Sequence, residues 1–404
     1  MIRWKKLYPY AEGAAVKKNE TSVTLGDVIF KVLGNEDCST TLRKYYIGGE
    51  HYESESIKIK TKGVIKDSCL GYQFHFPFEK NDTLFMTKNP RLKKAGIVDF
   101  SGICSIASFV LRTRDESVLR EKFIPIIVQS DQFWNHLMRF QSGSVNPFIK
   151  WKTLSGYSFH LPDVLEQDQY VNIIWKLENL KEALEKQYDM LNQLIKSQFI
   201  EMFGDPETNS ECWPIQKLIT LSREGRMPYG VAASASEFDG TTRYIRITDI
   251  KDDGTLGDVF VSPDSYNECH VLKDNDLLFA RTGSVGKTFL YKSEYGIAVF
   301  AGYLIKLTPN IECIDPVFLY YYTKTTFYEK YIESIKHGGV QANINAKQYG
   351  SLNVYLPPIE FQKIFSDFVK QVDKSKFELQ QHIKNTKKLQ KTIINEVFND
   401  EKRQ

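Results

Sequence analysis

The stretch SGSVNPFIKWKTLSGYSFHLPD, Ser142 to Asp163, is answered 195 residues later by HGGVQANINAKQYGSLNVYLPP, His337 to Pro358. Along that offset Gly143/Gly338, Val145/Val340, Ile149/Ile344, Lys152/Lys347, Leu161/Leu356 and Pro162/Pro357 are identical. The register runs on without a gap through Gln167/Gln362, Leu194/Leu389, Glu201/Glu396 and Phe203/Phe398. Upstream, KNDTLF (Lys80 to Phe85) matches DNDLLF (Asp274 to Phe279) at an offset of 194. Self-similarity at a fixed period means that one folding unit is present twice. The 404 residues therefore divide as 1–163, 164–204, 205–358 and 359–404, a globular part followed by a helix in each copy.

Each copy closes with a long amphipathic pattern that opens just after a proline, Pro162 or Pro358, where a helix start is sterically easy. In the first, Tyr170, Leu177, Leu184 and Leu191 recur every seven residues, with Ile173, Leu180 and Leu194 on a second row. In the second, Phe365, Val372, Leu379 and Ile393 recur with Phe368 and Leu389, while Ser375, His382 and Thr386 interrupt the seam. Heptad spacing over about 40 residues predicts helices of about 60 Å that pair with one another. Segment 164–204 carries net charge −3 and segment 359–404 net +3. Opposite signs favour pairing within one chain over pairing of like copies. The expected architecture is α/β (α+β): two globular domains joined by two long helices in an intramolecular antiparallel coiled coil, a tandem repeat with pseudo-two-fold symmetry.

The globular parts mix strand-like runs (TRYIRITDI, GDVFV, AVFAGYLIKL, LNVYLP) with helical patterns such as DPVFLYYYTKTTFYEKYIESI. One short motif invites a different reading. ARTGSVGKTFLY, Ala280 to Tyr291, contains GSVGKT. A phosphate-binding loop needs a glycine five places before Gly286, and that position is Arg281. Strand-like LLFA and FLYK flank the motif, so it reads as a glycine-containing turn between two strands.

Net charge over the whole chain is +3, and 42% hydrophobic content is ordinary for a globular protein. The start, MIRWKKLYPY, has no apolar run behind it, and no stretch reaches membrane-spanning length, so the chain is expected in the cytoplasm with no membrane contact. Cys38, Cys69, Cys104, Cys212, Cys269 and Cys313 are dispersed without zinc spacing and are expected as buried free thiols. Asn146-Pro147-Phe148 falls one proline short of the loop with which a methyltransferase holds a base amine. Asp249-Ile250-Lys251 lacks the preceding Pro-Asp of a metal-dependent nuclease. No catalytic residue, metal site or cofactor site is expected in this chain.

Two variable halves, each ending in a proline-led signature (HLPDVLEQ, His160 to Gln167; YLPPIEFQ, Tyr355 to Gln362) and a long helix, resemble the DNA-specificity subunit of type I restriction-modification enzymes. The second half is the closer match, with WPIQKL, YIRITDIKDDG, DNDLLFARTGSVGKT, GGVQANIN and LPPIEFQ in the family's order. The first departs more, carrying FMTKNPRLKKAGIV where the second has FARTGSVGKTFLY. The resemblance implies two target-recognition domains, each reading one half of a bipartite double-stranded DNA target. It implies helices that set the spacing and dock two methyltransferase subunits, with restriction subunits joining. S-adenosylmethionine, ATP and Mg²⁺ would belong to those partners. A stand-alone or architectural DNA-binding coiled-coil protein, or the specificity subunit of a fused restriction-methyltransferase system, are the alternatives.

DNA contact needs cations for phosphates and Arg, Asn or Gln for base edges. Segment 1–163, with net charge +7, offers Lys88, Arg91, Lys93, Lys94, Lys150 and Lys152. Segment 205–358, at net −4, must concentrate its positive charge locally. There the candidates are Arg243, Arg246, Arg281, Thr282, Ser284, Lys287, Gln341, Asn343, Asn345 and Lys347, with Arg281, Gln341, Asn343 and Asn345 as the expected base readers.

Overall fold

LLFA and TLFM are continuous apolar runs without alternation, the pattern of strands covered on both faces. The structure, a computed structural model, describes residues 21–251, 253–336 and 342–399, and in it both runs are central, fully buried strands. The chain divides into two compact units. Unit 1 holds the described residues up to Leu184 together with those from His382 onward; unit 2 is Glu185–Gln381. Each long helix is thus shared, half to each unit.

Unit 1 runs β1 (Thr21–Thr24), α1 (Leu25–Val28), β2 (Ile29–Lys31), β3 (Tyr45–Ile47), β4 (Gly63–Val64), β5 (Phe74–Phe78), β6 (Thr83–Met86), β7 (Ala95–Ile97), β8 (Gly102–Ser105) and β9 (Ser108–Thr113). Then come α2 (Ile124–Val128), α3 (Asp131–Arg139), α4 (Trp151–Ser155), β10 (Ser158–Leu161) and the first half of α5 (Val164–Phe203). Two four-stranded sheets form, in the orders β2-β9-β6-β7 and β4-β3-β8-β5, and β1 pairs with β10.

Unit 2 follows with β11 (Ile215–Lys217), β12 (Ala235–Glu237), β13 (Arg243–Ile245), β14 (Val261–Pro263), β15 (Leu277–Ala280), β16 (Thr288–Leu290), β17 (Ala298–Phe300) and β18 (Leu304–Leu307). It continues with α6 (Pro316–Tyr322), α7 (Thr326–Ile335), α8 (Ala346–Gly350), β19 (Asn353–Tyr355) and the first half of α9 (Ile359–Val397). The repeat is visible in pairing. β1 with β10 corresponds to β11 with β19, the parallel pair β3–β8 to β13–β17, and β6–β9 to β15–β18.

The two helices pack antiparallel inside each unit. In unit 2, Tyr188, Phe199 and Phe203 of α5 meet Gln380, Phe365 and Phe361 of α9, ascending numbers against descending ones. In unit 1, Ile174 shares a core with Ile393, Ile394, Val397 and Phe398. A buried polar step interrupts that apolar contact. Gln390 donates to Glu178 (3.1 Å) and to the Ile174 carbonyl (3.4 Å), and Lys181 pairs with Glu178 at 2.7 Å. Such groups lose water on packing and are tolerated only in the register that pairs them. Gly204, at φ +77°, adopts the left-handed conformation that ends α5.

Several expectations are corrected. On α5 the expected Tyr170, Ile173, Leu177 and Leu191 are half-buried against the cores, the fully buried apolar residues are Ile174, Ile195, Phe199 and Phe203, and Leu180 and Leu194 are exposed. On α9, Phe365, Val372 and Ile393 are buried, whereas Leu389 is exposed and Thr386 is buried with its hydroxyl donating to the His382 carbonyl. The seam shifts because each half of a long helix is covered by the globular part of its unit as well as by the partner helix. DPVFLYYYTKTTFYEKYIESI is two helices, broken where the Thr325 side chain accepts the Tyr328 N–H and caps α7. Of GDVFV only Val261 lies in a strand. Among the cysteines only Cys104 is buried; Cys38 is half-buried and the other four are exposed.

Two small motifs hold α5 and α9 to their units in the same way. Gln167 is fully buried, its Oε1 accepting the Arg120 N–H at 2.9 Å and its Nε2 donating to the Val118 and Pro162 carbonyls. Gln362, its repeat counterpart, accepts the Asp315 N–H at 2.8 Å and donates to the Pro357 carbonyl. Burying an amide is tolerated only when its hydrogen bonds are made, so each glutamine fixes the root of its helix.

Candidate nucleic-acid interface

Arg281 begins the turn that joins β15 to β16. The turn closes on itself: Ala280 N–H donates to the Lys287 carbonyl, Gly286 N–H to the Ala280 carbonyl and Lys287 N–H to the Ser284 carbonyl. Gly286 N–H also lies 3.1 Å from the Tyr349 hydroxyl, and the Tyr328 hydroxyl donates to the Gly286 carbonyl. The Gly286 and Lys287 amides are therefore spent internally, and a strand follows instead of a helix. Gly286 itself is required. Its φ is +86°, and a Cβ there would stand 2.8 Å from Ile332.

A second segment lies along this turn. Ile344 N–H donates to the Arg281 carbonyl at 2.9 Å, and Thr282 bridges to Asn343. Arg281 Nε donates to Asn343 Oδ1 at 3.3 Å, and its guanidinium carbon sits 4.7 Å from the centroid of the Tyr229 ring. The Tyr229 hydroxyl accepts the Ala346 N–H at 3.1 Å. Tyr229 and Tyr303 are exposed, as are Ser284, Asn343 and Lys347, while Thr282 is half-buried. Beneath the turn, burial and the like charges of Lys196 and Lys287 push the Lys324 ammonium down to about 8.

Unit 1 repeats the frame with other side chains. Ile149 N–H donates to the Thr87 carbonyl at 2.9 Å, the counterpart of the Ile344 to Arg281 bond, and Lys88 bridges to Phe148. Asn89 N–H donates to the Pro147 carbonyl. Asn89 (φ +52°) and Lys93 (φ +46°) turn the chain sharply, so that Lys88, Asn89, Arg91 and Leu92 are exposed. Ser142 and Phe148 exchange two backbone hydrogen bonds and close the loop between them. Lys150 lies over the Phe148 ring at 6.0 Å, and Lys150 and Lys152 are exposed.

Other predicted contacts are engaged elsewhere. Arg243 is 4% exposed, donates to the Gly257 carbonyl and packs 4.1 Å over the Phe260 ring; burial lowers its pKa. Arg246 is paired with Asp249, which is 6% exposed, through two bonds of 3.0 and 2.8 Å. Lys287 Nζ donates to the Ile250 carbonyl. Asn345 caps α8: its Oδ1 accepts the Gln348 N–H, which takes away the acceptor that reading an adenine would use. Lys93 bridges Glu55 and Asp131; burial alone would lower its pKa, and these ion pairs raise it instead. Lys94 donates to the Gly49 carbonyl. Gln341 lies outside the described residues.

Sequence reasoning passed over Tyr229, Tyr303, Asn89 and Phe148. Their signal was faint, since Tyr229 in RMPYGVAAS is an isolated aromatic beside a proline and a glycine, and only the fold brings it to Arg281.

Residues 215–388 match the family described as the type I restriction modification DNA specificity domain. The type I restriction enzyme MjaX specificity subunit of Methanocaldococcus jannaschii is 24% identical over 227 residues, 53% of this chain and 52% of that protein. This chain therefore spans about half the length of the curated relative it matches. The S subunit of the type I restriction-modification system of M. genitalium matches over 96% of this chain and 98% of its own, with a TM-score of 0.51 and 14% identity. The fold is shared with that subunit. Among the described residues no helix is long and apolar enough to cross a membrane.

Proposed function

We propose, on the premise that residues 215–388 are a type I restriction-modification DNA specificity domain, that the chain is a non-catalytic sequence-specificity subunit. Each unit reads one half of a bipartite DNA target. The long helices set the spacing and dock methyltransferase subunits, and restriction subunits join the complex. S-adenosylmethionine, ATP and Mg²⁺ act on those partners, in the cytoplasm.

The observation that carries this reading is the repeated loop frame. The same backbone bond, Ile149 to Thr87 and Ile344 to Arg281, supports an exposed rim in each unit. One rim carries Lys88, Arg91, Lys150 and Lys152, the other Arg281, Thr282, Ser284, Asn343 and Lys347. A constant frame with variable cations and amides is what two readers of unlike half-sites require. Phosphate contacts would position each unit and base-edge contacts would specify its sequence. Half-sites on one face of a duplex stand about 34 to 36 Å apart per helical turn, and a helix of 40 residues reaches about 60 Å.

The test is a domain exchange. Replacing residues 205–358 with the equivalent segment of a relative, and mapping the DNA sequences bound, is expected to change one half-site and leave the other and the gap intact. A change in both half-sites overturns the modular reading.

A further inference from the structure

We propose that Tyr229 is a positioning residue that aims Arg281 at a guanine in the half-site read by unit 2, an inference that rests on the DNA-reading function above. Three constraints hold the Arg281 side chain. Its Nε is spent on Asn343 Oδ1, one face of the guanidinium lies on the Tyr229 ring, and its backbone is tied to Tyr303 and Ile344 at 3.0 and 2.9 Å. Tyr229 is itself anchored at both ends. Its backbone bridges to Ile305 at the edge of β18, and its hydroxyl accepts the N–H of Ala346, the first residue of α8. The ring therefore ties the strand edge, the Arg281 turn and the Asn343 segment into one assembly.

What remains of Arg281 defines the ligand. Its two terminal nitrogens make no hydrogen bond among the described residues, and together they present a planar fork. That fork matches two adjacent acceptors, and among base edges in the major groove guanine offers O6 and N7 side by side. Adenine presents a donor in place of O6 and would face the fork with like polarity. An aromatic face beneath a guanidinium attracts it without using its donors, so the stack orients the fork and leaves it available. The side chain then gives up less rotamer freedom on binding. Among the described residues, unit 1 places no arginine at the equivalent position. Its residue at the place of Arg281 is Thr87, which is buried with its hydroxyl on the Ala107 carbonyl.

The experiment uses the full chain and a library of randomised DNA duplexes, with the bound sequences read after selection. The wild-type chain is expected to enrich a bipartite motif containing a guanine that Arg281→Ala no longer specifies. Tyr229→Ala and Tyr229→Leu should relax that same position, lowering discrimination on the order of ten-fold, and leave all others as they were. Tyr229→Phe keeps the ring and should hold discrimination within about three-fold of wild type. Relaxation at one position with rescue by phenylalanine is not what a general packing role produces. A motif unchanged by Tyr229→Ala or Tyr229→Leu while Arg281→Ala relaxes one position overturns the positioning role and leaves DNA reading standing. Uniform weakening across all positions overturns it as well. If the wild-type chain enriches no motif, both the positioning role and the function it rests on are overturned.

Discussion

The two units share a backbone frame and differ in how they hold charge. Asp82 ends the turn before β6, and Asp276 ends the equivalent turn before β15. Asp82 is gripped by Nε and Nη2 of Arg112, each at 2.7 Å, and the Arg112 side chain is 37% exposed. Asp276 faces Lys306 at 3.4 Å, with side-chain exposures of 0% and 5%, and also accepts the Thr308 hydroxyl. The rims differ in the same sense. Unit 1 spreads lysines and Arg91 over an exposed turn, whereas unit 2 fixes one arginine between an aromatic ring and an amide. A repeated fold thus keeps its carboxylate position while the cation that answers it changes.

The largest expected effect lies in the buried pair. Asp276→Asn leaves the Lys306 ammonium without its counter-charge in a dry site and should cost roughly 3–5 kcal/mol. Asp82→Asn leaves Arg112 able to reach water and should cost roughly 2 kcal/mol. Urea denaturation of the two variants measures the difference, and equal losses would show that burial is not what separates the pairs.

A smaller effect belongs to unit 1 alone. Burial pushes the Glu121 carboxyl up to about 7, although its Oε2 accepts the Thr113 N–H, and its Oε1 has no hydrogen-bond partner. The unfolded chain releases this proton near the ordinary carboxylate range, and the folded chain holds it to about 7. The folded state therefore binds more protons across that window, and its stability falls as pH rises through it. Glu121→Gln should stabilise the chain by about 1–2 kcal/mol at pH 8 and leave it unchanged at pH 4. Thermal midpoints at the two pH values check this, and equal shifts at both would refute the assignment.

The smallest effect distinguishes the two rims. Lys88→Ala or Arg91→Ala should weaken binding evenly across sequences and reduce the slope of log affinity against log salt by about 0.9 for each phosphate no longer neutralised. The affinity of each variant measured from 50 to 200 mM salt gives that slope. A change in sequence preference without a change in slope would move these residues from phosphate to base contact.

Much of this was legible before the fold was known. The 195-residue register from Gly143/Gly338 to Phe203/Phe398 carried the duplicated organisation, and the prolines before α5 and α9 carried their starts. ARTGSVGKTFLY read as a strand, turn and strand, and β15 and β16 pair antiparallel around it. Side-chain roles were far less legible. Arg243 and Arg281 both stand in loop-like or strand-like polar surroundings, yet one is 4% exposed over Phe260 and the other lies on Tyr229 at an exposed rim. Lys93 sits in the same basic run as Lys88 and is consumed by Glu55 and Asp131, each 38 residues away.

The sequence by itself determined periodicity, the starts of the two long helices and turn chemistry, because those follow from sterics and hydrogen bonds among residues a few places apart. Tertiary structure alone decided which row of each helix is buried and which cations face solvent. A seam's phase depends on every surface that covers the helix, and a charged side chain's role depends on partners that only folding brings within a few ångströms.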